Sequence, residues 1–391
     1  MGAQLESEYV PNSHCIVCDT QLSPENDSAE HAIPNAIGGR LKVRRFICCG
    51  CNSATGKTWD AALAAQLNPL SLLFQIVRER GATPAMRVTT TAGENLTILS
   101  DGSLTPANPS FGIQQTERGL RVSFTARDRK EANRILKGLK RKYHALDIGK
   151  MLAEARSDPV FPEGMIHHKL EFGGEIVGRS IVKSTLAIAH YAGIKLARGD
   201  ALCYLRDPTF PAPFGYYYER DLVVDRPPAT PFHCISVASN PETGLVLGYA
   251  EYFGIHRVVV CLARDFRGPA LKSTYAIDPR TGQKLDVDIR LDLGPHDLAR
   301  IYDYETVPND GVIAAFQSVV PEALKRNHRR SRDRSLSEAI EYGFANCGAK
   351  EGEILTEEHI KMLSHLVAER ITPFLIRRAP RPSLFEETEE D

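Results

Sequence analysis

Two Cys-x2-Cys pairs stand near the start of the chain, Cys15 with Cys18 and Cys48 with Cys51. Each pair can close a tight knuckle, and two knuckles offer four thiolates in tetrahedral array to one zinc ion, which is the chemistry of a structural metal site. Residues 19–47 separate the pairs. That interval exceeds the about 15 to 20 residues of the commonest zinc pattern, so more than a minimal ribbon is inserted there. Cys49 adjoins the second knuckle but would break the two-residue spacing, and His14 is a further substitute ligand. Inside the interval lies "EHAIPNAIGG", an acid and a histidine followed by a proline and a glycine pair. Cys203, Cys234, Cys261 and Cys347 stand singly and read as small core hydrophobes.

The elements that must position these residues follow from pattern. Residues 28–33 can form a strand that Pro34 stops, and Gly38-Gly39 permits a sharp reversal. In "RLKVRRFICC", Leu41, Val43 and Arg45 alternate with Arg40, Lys42 and Arg44 before the run turns apolar, as a second strand entering the zinc site would. Past Cys51, "NSATGKTWDAALAAQLNPL" begins with capping residues and carries Trp59, Ala62, Leu63 and Leu67 at helical spacing. Trp59 reads as the anchor of that helix on the core. The expected module is strand, loop, strand and helix, clamped by zinc.

These residues resemble the HNH endonucleases, in particular their zinc-clamped subgroup with a ββα-metal fold. The resemblance rests on Glu30-His31, Pro34, Gly38-Gly39 and the ending Cys48-x2-Cys51-Asn52, and it covers roughly residues 12–68. It implies that His31 is a general base, that Glu30 and Asn52 hold a catalytic divalent ion such as magnesium, and that the four cysteines hold structural zinc. Many members carry an asparagine on the second strand; "KVRRFICC" has none. The chemistry is sound on its own terms. A neutral histidine can take a proton from water near pH 7. A hard cation held by one carboxylate and one amide oxygen can contact both the phosphate and the leaving oxygen. Neighbours on a strand face opposite ways, however, so Glu30 and His31 converge on one phosphate only if the backbone is irregular there. Arg40, Lys42, Arg44, Arg45 and Lys57 would contact a nucleic-acid backbone with little base specificity.

Composition bounds the alternatives. The chain has 391 residues, is 42% hydrophobic and carries a formal net charge of −1, so any polyanion site must be assembled locally from some of its 48 basic side chains. No apolar run is long enough to span a bilayer, and the start lacks the pattern of a signal peptide, so a cytoplasmic protein without membrane contact is expected. Nine cysteines in a reducing compartment argue against a disulfide framework.

Downstream, residues 69–84 suggest a helix leaving the module, and 86–126 a small antiparallel sheet. Residues 128–152 have helical periodicity with a basic face that is a second candidate for polyanion contact. A buried helix is expected over 174–197 and a strand-rich part over 231–291, in which His233 and His256 read as structural. "KRNHRRSRDRS" at 325–335 reads as an exposed basic connection, and the final "EETEED" as a disordered acidic tail. The expected fold class is α+β: an N-terminal zinc-bound ββα-metal module and a larger mixed region with a β-rich part. The expected segments are 1–68, 69–170, 171–320 and 321–391. The reading is an HNH-like endonuclease acting on nucleic acid, with DNA the expected substrate. Its rivals are a catalytically inactive nucleic-acid-binding protein, favoured by the absent asparagine, and a ligand-regulated effector of phage defence whose larger region senses a signal. A homodimer would suit double-strand cleavage.

Overall fold

The computed structural model describes residues 14–109, 111–116, 119–155, 161–196 and 199–378; the acidic tail lies outside them. The protein is mixed α and β, with an N-terminal four-cysteine cluster. Two compact units divide the chain, one formed by residues up to Arg127 with Ile166–Ala323, the other by Asp128–Met165 with the chain from Leu324 onward. Residue 68, the expected end of the N-terminal module, lies inside the first of these units.

The N-terminal module is a hairpin of β1 (Asp27–His31) and β2 (Lys42–Cys48) followed by α1 (Cys49–Thr55), a π-helical turn over Gly56–Asp60, and α2 (Ala61–Phe74). The hairpin pairs Ser28 with Ile47 but Glu30 with Val43, so extra β2 residues bulge opposite Ala29. Arg45, at φ 56, takes up that bulge, and its amide donates to Asp27 Oδ1 at 2.7 Å. Between the strands the chain turns on Gly38, whose φ of 99 ends a short 3-10 turn. A Cβ on Gly39 would sit 1.8 Å from the Ile33 carbonyl oxygen. The glycine pair is thus required once for a left-handed backbone and once for space. The expected helix over 69–84 is not separate: α2 runs through Pro69 and stops at Gln75 in the left-handed conformation.

Behind the module stands a six-stranded antiparallel sheet in the order β15-β14-β11-β12-β13-β9. Its strands are β9 (Phe214–Tyr216), β11 (His233–Asn240), β12 (Leu245–Tyr252), β13 (His256–Ala263), β14 (Lys272–Asp278) and β15 (Gln283–Leu285). Every residue of β12 and β13 is buried, so both faces are covered, which accounts for runs such as "HRVVVCLA" that do not alternate. One face carries α5 (Glu175–Tyr191), buried continuously from Val177 to Ala189, and α6 (Asp200–Arg206). The opposite face packs against a second core that includes the ribbon β10 (Val223–Val224) with β16 (Asp288–Ile289), and α7 (Pro295–Tyr302); α8 (Asn309–Gln317) follows.

The module, α5 and the sheet share one hydrophobic core, in which Ile33, Ile37, Leu63 and Leu67 join Ile181, Ile188, Ile235 and Val260. Polar links fasten the same contact. His233 donates from Nε2 to the Ile37 carbonyl at 2.8 Å while its Nδ1 accepts from the Phe253 amide at 3.0 Å. The Tyr275 hydroxyl accepts from the Leu41 amide at 3.2 Å, and Arg206 donates to the Ile16 carbonyl at 2.9 Å. A smaller sheet in the order β5-β4-β3-β8 is built from β3 (Met86–Thr90), β4 (Asn95–Ile98), β5 (Leu104–Pro106) and β8 (Ile166–His167). The hairpin of β6 (Phe111–Thr116) with β7 (Gly119–Phe124) is separate.

The other unit is helical. The stretch expected as one basic helix is two, α3 (Arg129–Lys140) and α4 (Ile148–Glu154), capped by Asp128 and Asp147, whose carboxylates accept from the amides of Glu131 and Lys150. Helices α9 (Val320–Asn346) and α10 (Glu357–Arg378) follow. At Gly343 they come so close that a Cβ would lie 2.7 Å from Leu363 Cδ1. Residues 325–335 are therefore inside a long helix rather than a connection, because α9 has a packed partner that an isolated charged run would lack. Among the described residues no helix is long and apolar enough to cross a membrane.

Candidate metal centre and catalytic site

The four expected thiols meet. Cys15, Cys18, Cys48 and Cys51 place their Sγ atoms within 4.8 Å of one another, and Cys18 and Cys48 are 3.8 Å apart. Four sulfurs bound tetrahedrally at about 2.3 Å stand about 3.8 Å from each other, so the set fits zinc. Cys48 is the N-cap of α1, and its sulfur accepts from the Cys51 amide at 3.4 Å; the Cys15 sulfur accepts from the Cys48 amide at the same distance. Amide donors and the start of a helix both favour thiolate, whereas burial pushes the Cys15 and Cys51 thiols up. The Thr20 hydroxyl, 3.2 Å from Cys18, holds that thiol down at about 6. Neither alternative ligand joins the set: exposed Cys49 reaches the Asp27 carbonyl at 3.3 Å, and His14 pairs with Gln21 in an isolated bridge. Of the single cysteines, Cys234, Cys261 and Cys347 are buried as expected, while Cys203 is exposed.

The three residues expected around a catalytic cation are distributed over separate partners. Glu30 points inward. It forms an ion pair with Lys183 of α5, a lysine whose side chain is 1% exposed. Lys183 Nζ also lies 2.7 Å from Asp60 Oδ2 and 3.4 Å from Thr55 Oγ1. Asp60 Oδ1 accepts from Ser180 Oγ at 2.6 Å. The two carboxylates more than offset the burial of Lys183 and raise its pKa, so the ammonium is charged. Burial pushes Glu30 upward, and Lys183 works against it.

His31, the next residue on β1, faces the other way. Its Nε2 lies 3.0 Å from Glu79 Oε2, and Lys42 Nζ is 3.3 Å from the same oxygen. Burial lowers the His31 pKa and Glu79 opposes that shift, so the ring is neutral near pH 7. With Nε2–H donated to the carboxylate, Nδ1 keeps its lone pair. Asn52 is turned elsewhere again: its amide donates to Ser28 Oγ at 2.6 Å. Ser28 stands two residues before Glu30 on β1, beyond the bulge. The irregularity that would bring Glu30 and His31 together thus precedes both, leaving their alternation intact. As folded, Glu30 does not fit a divalent ion shared with Asn52, because its carboxylate holds the Lys183 ammonium.

The expected backbone-binding residues are divided in the same way. Arg40 donates to the Val77 carbonyl at 2.7 Å, and Arg45 sits in the bulge. Exposed Arg44 lies 3.6 Å from Asp27, Lys42 is paired with Glu79, and Lys57 is exposed on the π-helical turn. Trp59 packs on the core as an anchor, with the Arg179 guanidinium 5.8 Å from its ring centre.

Asp60, Glu79 and Lys183 are site residues that no motif in the sequence marks. Only Lys183 carried a signal, as a charge in the middle of an apolar helix, where burial demands a partner. Residues 15–68 match the family described as HNH endonuclease, over the segment that holds the four cysteines, His31 and Asp60. Comparison with curated proteins and with solved structures returns no match.

Proposed function

We propose that the HNH-type module hydrolyses phosphodiester bonds of nucleic acid, with DNA as the substrate and His31 as the general base. The observation that carries this reading is the neutral, half-buried His31 held at Nε2 by Glu79, in a module that also matches a nuclease family. In the reading, water loses a proton to His31 Nδ1 as its oxygen bonds to phosphorus; the bond from phosphorus to the 3′ oxygen breaks, that oxygen takes a proton from solvent to leave as a 3′-hydroxyl, and Glu79 fixes the ring and stabilises the imidazolium that forms. Lys42, Arg44 and Lys57 hold the phosphate backbone by charge. The zinc cluster anchors β2 and α1, and so fixes the hairpin that presents His31. Magnesium held by Glu30 and Asn52 would require the Glu30 carboxylate to leave Lys183.

A second reading, nucleic-acid binding without cleavage, is favoured by the occupation of Glu30 by Lys183. Plasmid nicking by wild type and His31→Ala, with and without magnesium or manganese, separates the two. Catalysis predicts a loss of about 10²-fold or more in the variant. Equal rates would remove His31 from the chemistry. Salt-sensitive binding by both proteins with no nicking would leave the binding reading.

A further inference from the structure

Helix α5 brings a cation to a place in the module where two carboxylates meet. Glu30 comes from β1 and Asp60 from the end of the π-helical turn, and Lys183 Nζ lies between them. Its three protons have three acceptors, Glu30 Oε1, Asp60 Oδ2 and Thr55 Oγ1. The free oxygen of Asp60 is taken by Ser180, one turn earlier on the same face of α5. The arrangement is complete: two negative charges face one buried positive charge, with a hydroxyl on each side.

A divalent ion ligated by those carboxylates would sit about 2.0 to 2.6 Å from their oxygens. That volume already holds the Lys183 nitrogen, 2.7 Å from Asp60 Oδ2. Ammonium and ion exclude one another by space. They also exclude one another by charge, since both together would turn a site of net charge −1 into one of +1 around a lysine whose side chain is 1% exposed. Lys183 cannot yield by a simple rotation, because it lies within the continuously buried run of α5.

We propose that the Lys183 ammonium is the resident cation of the Glu30–Asp60 pair, and that a divalent ion binds this pair only when Lys183 is removed from it. The proposal takes from the nuclease reading only the importance of the site; its test reads ion binding itself. Thermal unfolding of the zinc-loaded full chain is measured with and without millimolar manganese, for wild type, Lys183→Ala and Lys183→Ala/Glu30→Gln. Wild type is expected to show no manganese-dependent shift. Lys183→Ala is expected to melt several degrees lower in ion-free buffer and to recover most of that loss with manganese, and adding Glu30→Gln is expected to abolish the recovery.

If Lys183→Ala folds only when manganese is present, the proposal is upheld, provided that Glu30→Gln/Asp60→Asn/Lys183→Met folds without the ion. A manganese shift in wild type that Glu30→Gln removes overturns the proposal, as does a Lys183→Ala protein no more responsive than wild type. Parallel nicking assays keep the two ideas apart. An ion response confined to Lys183→Ala, with no cleavage by any variant, leaves the proposal standing and removes the nuclease reading. Wild-type nicking whose manganese dependence is lost in Glu30→Gln does the reverse.

Discussion

Adjacent residues Glu30 and His31 have opposite fates because a strand alternates its side chains. Glu30 enters the core and must be neutralised there; His31 stays at the surface and keeps a free nitrogen. Glu79 is the residue through which His31 can be tuned. Its carboxylate raises the His31 pKa against the lowering effect of burial. Glu79→Gln therefore lets that pKa fall further, and under the proposed role of His31 as general base the acid limb of kcat/KM for nicking should move to lower pH. The plateau should drop by about one to two orders of magnitude, because the base is weaker and the ring less well held. A pH–rate profile checks both; an unmoved acid limb would separate Glu79 from the base.

Among elements, the hairpin and the helix behind it depend on positions where the backbone leaves no room. Gly39→Ala places a Cβ 1.8 Å from the Ile33 carbonyl oxygen, which only backbone movement relieves. A loss of about 3 kcal/mol or more is expected from the denaturation midpoint. Gly50→Ala, on the first turn of α1 with open space around it, should instead be neutral or stabilising by up to about 1 kcal/mol. The contrast tests crowding, since both variants add one methyl group near the four-cysteine hairpin. The bulge at Arg45 shows a limit of pattern reading: Leu41 and Val43 predict the strand, but the extra residues that follow shift Phe46 and Ile47 into the core together.

For the molecule as a whole, buried histidines set the response to acid. Burial pushes His233 down to about 4 and His256 down to about 3. Both rings are therefore neutral in the folded state at pH 7, whereas unfolded histidine titrates near 6.5. Their contribution to stability is complete above about pH 6.5 and declines as pH falls toward the folded values. The His256 ring packs against Phe172, Tyr216 and Tyr252, and neither nitrogen has a hydrogen-bond partner. His256→Phe should keep the fold at pH 7 and lose less stability than wild type between pH 6.5 and 4, by about 3 kcal/mol. Thermal melts of the two proteins across that range measure the difference, in which acid release of zinc, common to both, cancels. Parallel pH curves would refute the assignment.

The amino-acid sequence alone determined the parts of this protein that depend on neighbours along the chain. Four cysteines at knuckle spacing, a proline and two glycines at a turn, and an apolar period after Cys51 specify a hairpin and helix joined at a four-cysteine cluster, because those constraints are local and act on the backbone directly. It also marked the buried helix and the β-rich region, whose apolar runs need no partner to be recognised. Tertiary structure alone decided what the chemical groups do. Lys183 follows Glu30 by more than 150 residues and meets it only because α5 is packed between the module and the central sheet. The choice between metal ligand and ion-pair partner is electrostatic and non-local. A carboxylate in a closed core takes the cation that the fold brings to it, and no spacing around Glu30 records which cation that is.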